Sequence, residues 1–397
     1  MTKQALLTLL LIMITPCLMA QKKEISQARS YIKSGNSLDR AEKLMKELLE
    51  KNPENKQNTK IYLLWYQAVK KQYEAGNEKL YLKQKYDTAI IYSQTKKMFD
   101  ILIALDSVDA APNKNGKVSP KFRKKHSEEL SIYRPNLYYG GSFFMKKKDY
   151  KSAFELFDLY LTTIDHPMFE RMKYYDSDTI MSRVAYLATY CAYAMNDAER
   201  ILKRSSMALG DTANARYVIQ YLAEAYKLSG DERKYEETLN MGFDKYPDFN
   251  YFFPHLMDFY NSKEMLTEAL ALTEKALKFD DKNILYLYAK SSTLFAMERY
   301  TDCIKTCDKI ISICDTIAPA YYHAGMSYLI PVQYMEQDKE NKSYLKSVYE
   351  KALPYMEKYR KLAPKEQKKW AMPLYRIYLN LNMGKEFEEI DRLLNKR

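Results

Sequence analysis

Glycine and proline are scarce here, 10 and 13 residues in a chain of 397, about 6% together where about 12% is usual. That shortage excludes collagen-like and low-complexity chains, argues against a turn-rich all-β fold, and points to a mostly helical one. Beyond the first twenty residues no apolar run approaches the roughly 20 residues that a membrane helix needs, so no transmembrane span is expected in the rest. Catalytic signatures are missing too. Gly116-Lys117 lacks the glycine-rich loop and the following Ser or Thr of a phosphate cradle, and no His-Glu-x-x-His or Gly-x-Ser-x-Gly occurs. The four histidines, His126, His166, His255 and His323, are scattered. An enzyme is therefore not expected, and neither a cofactor nor a metal is implied.

What is present begins with a short basic start, Lys3, and an apolar stretch from Ala5 to Ile14 that ends at Thr15-Pro16-Cys17-Leu18-Met19-Ala20. This reads as a secretory leader, residues 1–20, cleaved after Ala20. Ile14 and Thr15 precede Cys17 as in a lipoprotein signal, but Pro16 stands where Gly, Ala or Ser is wanted, so a lipid anchor at Cys17 is disfavoured. The expectation is an exported chain, periplasmic or associated with the cell surface. The net charge is +12, spread along the length. Such a balance suits acidic surfaces; nucleic acid is set aside because an exported chain meets little of it. Cys191, Cys303, Cys307 and Cys314 follow the leader, an even number that permits disulfides in an oxidising compartment. Their spacing favours core packing over a disulfide or a metal site with His323.

A self-similar register of 34 residues is the main signal. Repeats starting at Ser182, Arg216, Asn250, Ile284 and Ala318 carry Thr189, Ala223, Met257, Ser291 and Gly325 at position 8. Position 20 holds Ile201, Tyr235, Ala269 and Cys303, and position 27 holds Ala208, Gly242, Ala276 and Ile310. These are the spacings of two amphipathic helices joined by a tight turn, marked by Gly230-Asp231 and stopped by Pro247. Arg134 to Pro167 fits the same register with Gly141, Phe144, Ala153, Phe157 and Tyr160, and Lys22 to Pro53 fits with Gly35, Ala41, Leu48 and Leu49.

The pattern resembles the tetratricopeptide repeat. That resemblance implies an all-α, right-handed superhelical solenoid of eight or nine helix-turn-helix hairpins. After the leader, residues 21–133 read as divergent repeats with an insertion at 106–133, a turn-rich stretch followed by a basic helix. Residues 134–397 read as the array proper, with an insertion at 331–348 before a helix of Tyr349, Ala352 and Met356. A polar capping helix is expected from Glu386 to Leu394. The stretch from Tyr73 to Tyr81 either lengthens two helices or caps their turn. Asp106 and Asp109 read as a solvated loop, and Lys121, Arg123, Lys124 and Lys125 as a solvated basic run.

In the family resembled, positions 2, 5, 9 and 12 of each first helix face a concave groove. Carried onto this chain they give Tyr138, Tyr186, Tyr190, Tyr193, Tyr217, Glu224, Tyr251, Asp258, Tyr288 and Tyr322, with Met145, Arg183, Gln220, Lys227, Asn261, Phe295 and Met326 beside them. Tyrosine offers an apolar body and a polar tip, which suits a binding surface that stays wet when empty; rings filling gaps between helices would give the same pattern. Position 9 reads Ser142, Tyr190, Glu224, Asp258, Ser292 and Met326, with no Asn, so the family's Lys and Asn clamp for a terminal carboxylate is absent. The resemblance implies a non-enzymatic scaffold or adaptor of the cell envelope that holds a protein or peptide. The alternative is a glycan- or peptidoglycan-binding module using the same rings, less favoured because Trp65 and Trp370 both lie off the groove.

Overall fold

The computed structural model describes residues 21–335 and 340–395, so the expected leader and Cys17 lie outside the described residues. Among those described, helices follow one another with no strand. The chain divides into two units, one up to Tyr235 and one from Glu236 on.

The first unit contains α1 (21–34), α2 (Leu38–Lys51), α3 (Thr59–Tyr81), α4 (Thr88–Asp109), α5 (Arg123–Lys146), α6 (Tyr150–Asp165), the short α7 (Tyr174–Ser177), α8 (Met181–Ala194), α9 (Ala198–Ala208) and α10 (Ala215–Ser229). Helix α11 (Glu232–Lys245) carries the chain across the division. The second unit continues with α12 (Phe252–Ser262), α13 (Leu266–Phe279), α14 (Ile284–Ala296), α15 (Tyr300–Ile313), α16 (Ala318–Leu329), α17 (Lys342–Leu362), α18 (Gln367–Asn380) and α19 (Gly384–Asn395). Leaving α7 aside, these make nine helix pairs among the described residues, each helix burying one apolar stripe against its neighbours. The fold is an all-α helical-repeat solenoid.

The register accounts for the packing. Every residue named at positions 8 and 27 is buried, as are Ile201, Tyr235, Ala269 and Cys303 at position 20. The reason is close approach. At Gly141, a Cβ would stand 2.5 Å from the Phe157 ring, which is fully buried, so no larger residue fits while that ring stays put.

The turns show a second periodicity that composition conceals. Lys148, Asn196, Gly230, Glu264 and Glu298 all have left-handed φ, between 54° and 73°, and each is the fifteenth residue of its repeat. At each, the next residue's N–H reaches back five residues to a carbonyl of the first helix: Asp149 to Phe144, Asp197 to Ala192, Asp231 to Tyr226, Met265 to Tyr260 and Arg299 to Leu294, at 2.9–3.1 Å. This backbone-only closure satisfies helix-end carbonyls that would otherwise be orphaned. Glycine is the usual residue there, and only Gly230 is one.

Several expectations change. The stretch at Tyr73–Tyr81 lengthens α3. Arg123, Lys124 and Lys125 of the basic run open α5, which continues into the repeat helix that follows, while Lys121 precedes it. Asp106 is not solvated: it is 5% exposed and holds Arg123 through two bonds of 2.9 and 2.8 Å, while Asp109 accepts from the Phe122 N–H at 2.8 Å. These bonds staple the connection between α4 and α5. Helix α17 begins at Lys342, earlier than the expected resumption near Tyr349. The end of the chain is helical as expected, with Ile390 of α19 buried.

Residues 166–180 form a connector that the register skipped, with a turn of 3-10 helix (Pro167–Met172) and α7. Its anchor is Arg134, 7% exposed. The guanidinium lies 3.7 Å from the centre of the Tyr160 ring and 3.9 Å from that of Tyr174, donates from Nε to Thr163 at 2.7 Å, and pairs with Asp178 at 2.5 Å. Tyr160 donates to the same carboxylate at 2.8 Å. Three side chains, Tyr160, Thr163 and Tyr174, thus satisfy one buried ion pair, as a buried charge requires.

Candidate ligand-binding face

Helices α8 and α10, the first helices of successive repeats, pack side by side in the first unit. On α8, Tyr186, Tyr190 and Tyr193 follow one another at helical spacings of four and three, which brings them onto one stripe. All three are half-buried and share a floor, Tyr221 of α10, which is 5% exposed. Tyr193 stacks on it with ring centres 4.3 Å apart, Tyr186 lies nearly parallel at 6.4 Å, and Tyr190 tilts toward it at 6.2 Å. Tyr190 also meets Tyr150 edge-on at 6.0 Å.

Two of these phenols, Tyr190 and Tyr221, are held in the neutral form. Burial, then the surrounding phenols, raises Tyr221 far above the usual range, and the hydrogen bond with Tyr150 followed by burial raises Tyr190. Arg183 places its guanidinium 5.2 Å from the Tyr186 ring and pairs with Asp211 at 3.4 Å. The result is a strip of aromatic surface with a cation at one end. It can take apolar or planar groups and offer phenolic hydrogen bonds.

The remaining expected positions divide by unit. In the first, Tyr138 is half-buried and tilts over Phe157 at 6.3 Å, Tyr217 carries the Arg216 guanidinium 5.0 Å from its ring, and Glu224 is half-buried. In the second, Tyr251 is buried, 8% exposed, and stacks on His255 at 4.0 Å, so its ring belongs to the core. Asp258 is exposed. Tyr288 lies parallel to His323 at 5.8 Å, Phe295 stacks on the same imidazole at 5.0 Å, and Tyr322 leans on Tyr359 at 5.1 Å. Burial lowers His323 to about 4, which leaves the ring uncharged near neutrality.

Cys191, Cys303 and Cys307 are buried, and burial pushes the Cys191 thiol up to about 12. Cys303 donates to the Ser291 carbonyl at 3.3 Å and lies 4.0 Å from the Cys307 sulfur. Among the described residues no His, Cys, Asp and Glu group is arranged to hold a metal, and no helix is long and apolar enough to cross a membrane.

The register missed Tyr221, although it stands at the centre of the strip. Its spacing of four from Tyr217 in an unusually tyrosine-rich helix was the available signal. It also missed a cleft of about 520 Å³ between α3 and α5, floored by Tyr66 and His126 and bridged by Lys70 and Glu129 at 2.5 Å.

Thirty-four-residue helix pairs, small residues at the close approaches and a left-handed turn at position 15 are now in view together. The fold is of the tetratricopeptide-repeat type. No protein-family model matches the chain, and no curated protein does. Solved structures that align with it include the C-terminal part of a TPR repeat-containing protein from Cytophaga hutchinsonii, at 13% identity and a TM-score of 0.42 over 64% of this chain and 92% of that one. YrrB, described as a TPR protein with an unusual peptide-binding site, aligns at 14% identity and 0.36 over 50% and 94%. MamA aligns at 16% and 0.34 over 47% and 94%. At these scores the likeness carries no weight of its own, and the fold assignment rests on the chain's repeat and its packing.

Proposed function

We propose that the chain is a non-enzymatic scaffold of the cell envelope that holds a protein or peptide partner against the tyrosine strip of α8 and α10. The observation that carries this reading is the packing of Tyr186, Tyr190 and Tyr193 against Tyr221, which leaves three half-buried rings side by side. Rings preorganised in this way lose little freedom on binding and give large contact area, the usual make-up of an interface hot spot. Export rests on the leader-like residues 1–20.

The test is a crosslinking capture from cells of the source organism. The bait is the chain from Gln21 on, compared with Y186A/Y190A/Y193A and with the triple Phe variant, which keeps the packing on Tyr221. A protein caught by the wild type and the Phe variant but lost from the Ala variant supports the reading. Equal catches from all three, or capture of protease-resistant glycan alone, would refute it.

A further inference from the structure

The second unit contains a cavity that the tyrosine strip does not explain. Its volume is about 220 Å³, and its walls include Met326 and Leu329 of α16, Tyr349 of α17, and Met372, Pro373 and Arg376 of α18. A cavity of about 150 Å³ accommodates benzene, so one aromatic or long aliphatic side chain fits this one. Two of the wall residues are methionines, whose flexible thioethers adapt to the shape of what enters.

Arg376 is the one charged group in the lining, and it is exposed. Among the described residues it joins no ion pair; the pairs nearby run from Lys369 to Glu366 and from Arg360 to Glu389. Basic residues stand on neighbouring turns of the two helices. On α17, Lys342 and Lys346 stand seven and three positions before Tyr349, on its face of the helix, and on α18 Lys369 precedes Arg376 by seven. Lys346 has Glu350 at 3.8 Å and Lys369 is paired with Glu366 at 2.9 Å, while Lys342, like Arg376, joins no ion pair among the described residues. Met372 and Leu379, 49% and 50% exposed, extend the apolar face a turn to either side of Arg376. A free small acid would leave that flanking surface in water, whereas a chain would cover it.

We infer that this cavity receives one aromatic or aliphatic anchor residue from an acidic segment of a partner protein, with Arg376 pairing with a carboxylate beside the anchor. The inference rests on the reading of the chain as a protein-binding scaffold but uses no residue of the tyrosine strip. Desolvating the anchor supplies affinity, and the cationic rim selects acidic flanks and speeds encounter.

The experiment is fluorescence anisotropy with a labelled dodecapeptide of Asp and Glu carrying one central Phe, beside a peptide with Ala for the Phe and one with Lys for the acids. The Phe peptide should bind, with affinity that falls as salt rises. Both companions should be at least about tenfold weaker, as should the Phe peptide on Arg376→Glu or Met372→Asp. Y186A/Y190A/Y193A should bind it as the wild type does, which separates this site from the strip: capture can fail there while the peptide still binds here. The assignment is overturned if the Ala peptide binds equally well, if neither α18 variant weakens binding, or if the tyrosine variant is the one that loses it. Displacement of the peptide by 3-phenylpropanoate at the peptide's own affinity would also overturn it, in favour of a small-acid site. Should Met372→Asp lose helicity, Arg376→Glu, at an exposed position, decides.

Discussion

Glycine placed at the left-handed turns should stabilise this protein without touching a single packed side chain. Glu264 and Glu298 both have φ of 57° and both are exposed, so replacing them removes no buried contact. An L-residue held in this region costs about 1–2 kcal/mol, while the extra freedom of glycine in the unfolded chain returns about 0.4–1 kcal/mol of that. Each substitution should therefore gain about 0.5–1 kcal/mol, and Glu264→Gly/Glu298→Gly, both in the second unit, about 1–2 kcal/mol. With a urea dependence of about 3 kcal/mol per molar, the midpoint of that unit should rise by roughly 0.3–0.7 M. Gly230→Ala is the mirror experiment: no atom lies within 4 Å of the added Cβ, so only backbone strain opposes it, and about 0.5–1 kcal/mol should be lost. Because repeat arrays can unfold in stages, the reading should be residue-resolved hydrogen exchange in α12 to α15 alongside the urea transition. The reasoning fails if the double glycine variant is no more stable than wild type while Gly230→Ala is neutral.

Further outcomes follow from the same packing. Arg134→Ala leaves Asp178 buried without its cation and should cost about 3–5 kcal/mol, seen as early exchange of 166–180, whereas Arg134→Met with Asp178→Leu should recover much of it. Gly141→Ala forces the buried Phe157 ring to move and should lower thermal stability by about 1–3 kcal/mol. His323 is depressed to about 4, so the unfolded chain takes up its proton first as pH falls. Its contribution is whole above about 6.5 and is lost between there and about 4, by up to about 3 kcal/mol. Urea midpoints of the second unit against pH should show that fall, and His323→Phe should flatten it.

The 34-residue phase was legible because close helix approach admits few residue types, so Gly141, Ala269 and Gly325 mark it in the sequence itself. The turns were not legible. Their geometry is closed by backbone N–H and C=O groups, and Lys148, Glu264 and Glu298 give no compositional sign of left-handed φ. The connector at 166–180 escaped because it has no periodicity, only a set of contacts to Arg134 that sequence separation hides. The tyrosine stripe of α8 followed from the groove positions that the resemblance implies, laid onto the 34-residue register. Tyr221 did not, since whether a ring is floor or surface depends on how the neighbouring helix is rotated, and Tyr251 was misplaced for the same reason.

The turn closures also bear on how such a chain can change over time. Nothing in the backbone bond that sets the phase of each hairpin depends on which side chain occupies position 15, beyond a cost of about 1–2 kcal/mol. Substitutions can accumulate at the turns and along the outer faces while the hairpins stay in step, as long as the few close approaches keep small residues. Ancestry would then fade from the letters of the chain well before it fades from the spacing between its turns.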